Sequence, residues 1–215
     1  GRGIGAATAV ALAEAGADVV VGARTEADLE RTAGAVRATG RRALVVPTDV
    51  TVTSDLERLV GATVDEFGRL DVLVNNAGGW LPRAVLETSE RAFEAALRFN
   101  VTAAFVLTKL AVPHLAANGD GAVVNISSRA ASMVQPVFVA YATAKAALSM
   151  MTRALAPELA PKVRVNAIEV GGVETDALAQ VLNDADTRQP GPRRCPASRP
   201  ALRGRTRRAH APVRR

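Results

Sequence analysis

Cysteine is nearly absent: one residue, Cys195, in a chain of 215, which excludes an intrachain disulfide framework. Aromatic residues amount to 3% while 48% of the chain is apolar, so a sizeable core is available and it must be built mainly from aliphatic side chains. No uninterrupted apolar run reaches the ~18 residues that cross a bilayer, and no basic-then-apolar leader opens the sequence. With these absences the expected setting is the cytoplasm. Acidic residues are missing from 187–215, where ten arginines stand. Setting those ten aside leaves 17 basic against 21 acidic residues, a net −4 for residues 1–186, so the overall charge of +6 belongs to the tail. A nucleic-acid or membrane footprint is therefore not a property of the body of the chain.

What is present has a clear order. Apolar runs alternate with helical patterns, as in a parallel sheet with helices on both faces. The expected elements are a helix over 4–15 stopped by Gly16, a strand over 18–21, a charged amphipathic helix over 26–38 and a strand over 43–48. A helix over 53–67, with Ser54 and Asp55 near its start, leads to a strand over 72–74. A long helical stretch over 89–117 is broken near Asn100. A strand over 122–128, a helix carrying Tyr141 and a strand over 163–168 complete the series. The fold class is α/β, a Rossmann-like doubly wound parallel sheet in a single domain. Its length fits one domain. Beyond 182 the periodicity fades into arginine, proline and glycine, a composition that buries too little apolar surface to order itself. Residues 183–215 are expected to be a disordered tail. Either the reading frame shifts near Asp186, or the tail is a real arginine-rich arm reaching nucleic acid or membrane. The acidic body favours the first.

The chemistry centres on Tyr141-Ala-Thr-Ala-Lys145. Residues at i and i+4 share one helix face. A free phenol, pKa ~10, exchanges protons poorly at neutral pH, and an ammonium one turn away favours the phenolate. Ser128, at the end of the apolar run 122–128, has a hydroxyl that can hold a carbonyl oxygen while Tyr141 protonates it. Such a pair alone is not diagnostic. It is accompanied, in order along the chain, by Gly1-x-Gly3-x-Gly5, Asp49-Val50, Asn75-Asn-Ala-Gly78, Asn100 and Val165-Asn-Ala-Ile168.

Jointly these motifs resemble the short-chain dehydrogenase/reductase family, across residues 1–182. Within it the chain is most similar to the 3-oxoacyl-carrier-protein reductases, with hydroxysteroid and other secondary-alcohol dehydrogenases as the near alternative. The resemblance implies an oxidoreductase moving a hydride between nicotinamide and a ketone or secondary alcohol, working as a homo-oligomer, tetramer or dimer, on a small apolar substrate. It assigns Asn100, Ser128, Tyr141 and Lys145 to catalysis: Ser128 polarises the oxygen, Tyr141 gives the proton, Lys145 also holds the nicotinamide ribose, and Asn100 holds a water that relays protons to the lysine. It assigns Gly3, Ile4 and Gly5 to the pyrophosphate turn, Asp49 and Val50 to adenine, and Asn76, Ala77 and Gly78 to the ribose. Gly171, Val173 and Thr175 are assigned to the nicotinamide. Asn75 and Ser127 are expected to be structural, and specificity is expected in Gly79-Trp80-Leu81 and residues 133–138. No metal site is implied.

The strand over 18–21 leads into Gly22-Ala23-Arg24 with no carboxylate at its tip, where an NAD enzyme carries one for the ribose 2′-hydroxyl. Arg24, and Arg2 inside the glycine turn, instead suit a 2′-phosphate, so NADP(H) is expected over NAD(H). Departures from the family pattern are visible. Its Thr-Gly-x-x-x-Gly-x-Gly turn begins before Gly1, so the chain is expected to be N-terminally truncated, lacking the central first strand. Val170 stands where the family has proline, and Pro157 falls late in the Tyr141 helix. A catalytically inactive fragment is the alternative that these departures leave open.

Overall fold

Strands and helices alternate through residues 1–173, the part of the chain that the computed structural model describes. Helix α1 (Gly3–Glu14) is followed by β1 (Val19–Ala23), α2 (Glu26–Ala38), β2 (Ala43–Pro47), α3 (Thr53–Phe67) and β3 (Val72–Asn75). Then come α4 (Glu90–Leu97), a π-helical turn (Arg98–Thr102), α5 (Ala103–Ala117), β4 (Gly121–Ser128), α6 (Val139–Leu159) and β5 (Val163–Val170). Helices α2 and α3 have the expected bounds. Each buries one stripe at helical spacing, Leu29, Ala33 and Val36 in α2, and Leu56, Val60 and Thr63 in α3. Gly16 and Gly68 take positive φ at the helix ends, a conformation that costs glycine no steric penalty.

All strand pairings are parallel. In β1, Val19 and Val21 point into a cluster with Ala9 and Ala13 of α1 and Leu29, Ala33 and Val36 of α2. The alternate residue Gly22 faces Leu59 of α3, whose Cδ2 lies 3.1 Å from where a Gly22 Cβ would be. Strand alternation therefore puts α1 and α2 on one face and α3 on the other. A second cluster joins Ala111 and Leu115 of α5 to Val123 of β4 and Val163 and Val165 of β5, with Leu155 and Leu159 of α6 packed against it. The helical stretch Glu90–Ala117, 28 residues, holds an 18-residue window of mean hydropathy 1.4, long and apolar enough by composition to cross a membrane. Its buried residues Leu107, Ala111 and Leu115 belong to the core layer over the sheet.

The strands fall into two sheets, β1-β2 and β3-β4-β5. Among the described residues none pairs β1 with β3, and a cavity of about 710 Å³ lined by Val19, Val21, Leu73 and Val74 separates them. This is the position at which the sequence reading finds no strand. The assignments to Thr175, Cys195 and the tail lie outside the described residues. The N-cap position of α3 is Val52, which makes no side-chain bond. Asp55 reaches back instead, accepting from the Asp49 N–H at 2.8 Å.

A buried polar ladder ties β3, β4, α5 and α6 together. Asn75 Nδ2 donates to Thr108 Oγ1 at 3.1 Å and to Asn125 Oδ1 at 2.8 Å, while Asn125 Nδ2 donates to Thr152 Oγ1 at 2.8 Å. Asn75 is structural, as expected; Asn125 has the larger role, because it is the link shared by both sides. Truncating it takes an acceptor from the buried Asn75 amide and a donor from the buried Thr152 hydroxyl, each of which keeps one other partner. Asn125→Ala is expected to lower stability by about 2–3 kcal/mol in urea unfolding, and a loss below about 0.5 kcal/mol would show that the ladder contributes little.

Candidate active site

Helix α1 begins at Gly3, and Gly1 and Gly5 line the same cavity as Ala23 and Arg24 at the end of β1 and Asn75 to Gly78 at the end of β3. Its N-cap, Arg2, makes no side-chain capping bond, and the first turn holds no acidic residue. Such a helix start carries unsatisfied donors and the positive end of the helix dipole, which favour an anion. Gly3 has φ +54, and a Cβ on Gly5 would sit 2.7 Å from Asn76 Nδ2. Gly5 therefore lets the helix start close onto the loop after β3. Gly5, Arg24, Asp49, Val50, Asn76, Ala77 and Gly78 all line one cavity, the same one that separates the sheets. Gly3, Ile4 and Arg2 are not among its walls.

The two arginines expected at the 2′-phosphate differ. Arg24 is exposed just past β1, close enough to Asp49 for its charge to act on that carboxyl. Arg2 forms an ion pair with Asp28 at 3.2 Å, and Asp28 also pairs with Arg31. Asp49 Oδ1 accepts from the Thr51 hydroxyl at 2.7 Å and the Thr51 N–H at 2.9 Å. These bonds, with Arg24, hold its carboxyl below the usual carboxylate range.

Twenty-five residues past the end of β3, the π-turn brings Asn100 into the site. Asn100 is 1% exposed. The wider turn interrupts the helical ladder, and Asn100 Nδ2 donates to the Ala96 carbonyl at 2.9 Å and to the Gly79 carbonyl at 3.1 Å. Its Oδ1 accepts from the Gly79 N–H at 2.8 Å. Asn100 thus fixes the loop after β3. Lys145, on the second turn of α6, is 3% exposed and donates to the Ile126 carbonyl at 2.8 Å. Its Nζ lies 5.8 Å from the centroid of the Tyr141 ring, within cation–π range. A Cβ on Gly78 would meet Lys145 Nζ and Asn100 Oδ1 each at 2.8 Å, so these two polar atoms converge over one glycine.

Ser128 closes β4 opposite Val170, and its Oγ accepts from the Ala130 N–H at 3.2 Å. Ser127 points the other way, to the Lys145 carbonyl at 3.2 Å and Ser149 Oγ at 2.8 Å, in line with a structural part. Gly171 and Val173 follow β5 beside this end, Gly171 packing near Arg129. Val137, a β-branched residue at φ +62, strains the loop before α6 while its carbonyl accepts from the Arg83 N–H at 2.7 Å. That bond joins loops 79–86 and 133–138 above Tyr141, whose ring meets Phe138 edge-on at 6.1 Å.

A family model described as short chain dehydrogenase matches residues 1–186. The chain belongs to this family. It is 46% identical over 191 residues to an uncharacterized oxidoreductase of Mycobacterium tuberculosis, spanning 88% of this chain and 73% of that protein. It is 36% identical over 184 residues to a 3-oxoacyl-[acyl-carrier-protein] reductase of Synechocystis, covering 85% and 74% of the two. A solved 7α-hydroxysteroid dehydrogenase complexed with NADH and 7-oxo glycochenodeoxycholic acid superposes with TM-score 0.78 at 32% identity, covering 82% of this chain and 70% of that one. The chain is an oxidoreductase of the short-chain dehydrogenase family, and members bind a nicotinamide cofactor. The residues present fit such a group: the uncapped α1 start suits a pyrophosphate, and the glycines at 3, 5 and 78 leave no side chain in the way.

Sequence reasoning did not find Asn125, Thr152, Val137 or Ile126, none of which carries a spacing signal. Ile126 matters most, since its carbonyl is the partner of the buried ammonium. Burial lowers the Lys145 pKa from 10.5 to about 8. The folded value lies below the unfolded one, so the burial cost is full below pH 8. It disappears as pH rises from about 8 toward 10.5, where both states become neutral. Relative to Lys145→Met, the wild-type chain is expected to gain about 3 kcal/mol of stability across that window. Parallel stability–pH curves for the two proteins would overturn the buried-lysine account.

Proposed function

We propose that the chain is a carbonyl reductase using NADP(H), interconverting an apolar ketone and its secondary alcohol, most like the 3-oxoacyl-carrier-protein reductases. The observation that supports it best is the convergence of Lys145 and Asn100 over Gly78 at the strand ends, with Tyr141 one helical turn from the lysine. The reduced nicotinamide, when bound, supplies the hydride. Ser128 Oγ already accepts from the Ala130 N–H, which leaves its own proton to donate to a substrate oxygen. Tyr141, half-buried at the start of α6, gives that oxygen the proton it needs as general acid. Lys145, held by Ile126, keeps a positive charge beside the phenol and has further N–H groups for ribose hydroxyls. Asn100 holds the loop 78–79 that the cofactor ribose would touch, and in this reading it shares with Lys145 the water that returns the proton.

Cofactor preference is read from charge. Arg24 stands alone at the tip of β1 among the cavity walls near Asp49, and no carboxylate occupies the residues that end the strand. Its planar fork matches a 2′-phosphate. Substrate class is read from the surroundings of Tyr141, where Trp80, Leu81, Val137 and Phe138 line one hollow with it, and from the exposed Leu86, Met133 and Val134 in the neighbouring segments of the chain. An exposed apolar rim of this kind suits a hydrophobic ketone. A second reading, a secondary alcohol of the hydroxysteroid kind, is supported by the 32% identity to the solved 7α-hydroxysteroid dehydrogenase.

Tyr141→Phe is expected to reduce ketone-dependent NADPH oxidation by roughly 10²–10⁴-fold while leaving NADPH binding intact. Turnover near that of the wild type would reject the assignment. Arg24→Ala is expected to weaken NADPH binding about tenfold, measured by fluorescence titration, and to leave NADH binding unchanged. Equal losses for the two cofactors would reject the NADP preference. A 215-residue chain that neither binds NADPH nor oxidises it with any ketone would be a non-catalytic member of the family.

A further inference from the structure

Glu169 sits at the end of β5, directly opposite Ser127 of β4 in the ladder. Each of its carboxylate oxygens is taken by a serine from a different segment. Ser149 Oγ donates to Oε1 at 3.1 Å, and Ser132 Oγ donates to Oε2 at 3.2 Å. Ser149 lies on α6 one turn beyond Lys145 and two beyond Tyr141, so these three side chains form one stripe at i, i+4 and i+8. Ser132 lies in the turn that starts from Ser128, where the Ser132 and Met133 N–H groups both return to the Arg129 carbonyl. Two residues beyond Glu169 is Gly171.

Resting on the reading above, we infer that Glu169 is a positioning residue: it clamps the segment bearing Ser128 to the helix bearing Tyr141 and Lys145. The hydroxyl inventory gives the clamp a direction. An ionised carboxylate only accepts, and a serine hydroxyl has one proton to give. With Glu169 ionised, the Ser149 proton goes to it, so the 2.8 Å contact between Ser127 and Ser149 draws the single Ser127 proton away from the Lys145 carbonyl. The chain Ser127→Ser149→Glu169 runs behind the backbone of Lys145, whose carbonyl lies 3.2 Å from Ser127 Oγ. Hydrogen bonds to a carboxylate are shorter and stronger than neutral ones. That makes an acidic residue better suited here than an amide, yet an amide still fits. A glutamine accepts one serine proton on Oε1 and offers its NH₂ to the other serine, which can turn its own proton to the Arg129 carbonyl 3.4 Å away.

The test compares Glu169→Ala with Glu169→Gln in the whole chain, with two readouts. In kinetics, Glu169→Ala is expected to lower kcat about tenfold with KM within about twofold, because misplacing reacting groups slows the chemical step and spares ground-state binding. The primary isotope effect from a reduced cofactor deuterated at its transferring position should rise with it. Glu169→Gln should restore kcat to within about threefold of wild type. A loss of folded protein alone would scale kcat and leave the isotope effect where it was, and that result overturns the inference. The second readout needs no cofactor. Amide hydrogen exchange at residues 130–133 should speed up about tenfold in Glu169→Ala and stay unchanged in α3, which Glu169 does not touch. Unchanged exchange at 130–133 also overturns it. A wild-type chain that turns over no ketone would refute the proposed function instead, and the exchange rates would still decide whether the clamp exists.

Discussion

The bond from the Lys145 ammonium to the Ile126 carbonyl is the constraint on which the half proposed to be catalytic depends. A charge 3% exposed needs compensation, or burial drives it toward neutrality. The sheet supplies that compensation by ending unevenly. Strand β3 stops opposite Asn125, whereas β5 follows β4 on to Ser128. Ile126 lies one residue past the end of β3, and its carbonyl goes to the lysine. Had β3 run two residues further, its backbone would compete for the same edge. The loop that replaces it, Asn76 to Gly79, carries no side chain at 78, and that emptiness is what admits both Lys145 Nζ and Asn100 Oδ1. The site is thus made by a strand stopping early and a helix reaching across its end.

The half that fits the cofactor phosphates works differently. Its donors are backbone groups at the start of α1 and its shape comes from glycines, so the charges around it are adjustable. Arg2 is engaged with Asp28 on α2, which places a carboxylate beside the glycine turn and offsets the cation there. Arg24 shares its surroundings with Asp49, whose charge is steadied by Thr51. Of the two cations in the NADP reading, Arg24 therefore has the stronger physical case, since a 2′-phosphate at Arg2 would first compete with Asp28.

Much of this could be read before any coordinates, for a physical reason that also sets the limit. Helices α2 and α3 bury residues at regular 3.6-residue spacing, and their ends follow from glycine and apolar pattern. Tyr141 and Lys145 were visible because four residues on a helix is a local relation. Asn100 was visible as an asparagine where a helix interior disfavours one. Its actual partners, Gly79 and Ala96, were not, because they depend on a π-turn and on a loop 21 residues away. Asn125 and Thr152 were hidden for the same reason: each is an ordinary polar residue in an apolar run, and only packing shows that they meet. Glu169 carried no signal, because its serine partners lie 20 and 37 residues away. The strained Val137 had no signal at all, since a β-branched residue is the last choice for positive φ. The split between the two sheets was legible as a missing apolar run, but the cavity it leaves was not.

That cavity bears on how the two halves influence one another. Where a sheet is continuous, ladder hydrogen bonds hold neighbouring strand ends in register. Between β1 and β3 no such bonds exist among the described residues, so the ends of these strands are related through helices instead. Helix α3 is the main bridge: it meets Gly22 of β1 through Leu59 and joins Leu107 of α5 through Leu56 and Val60. Gly5 against Asn76 is a further contact across the gap, at the end where α1 begins. A ligand spanning from the α1 start to Gly78 would lie along this contact, between residues supplied by α1 and by the loop after β3.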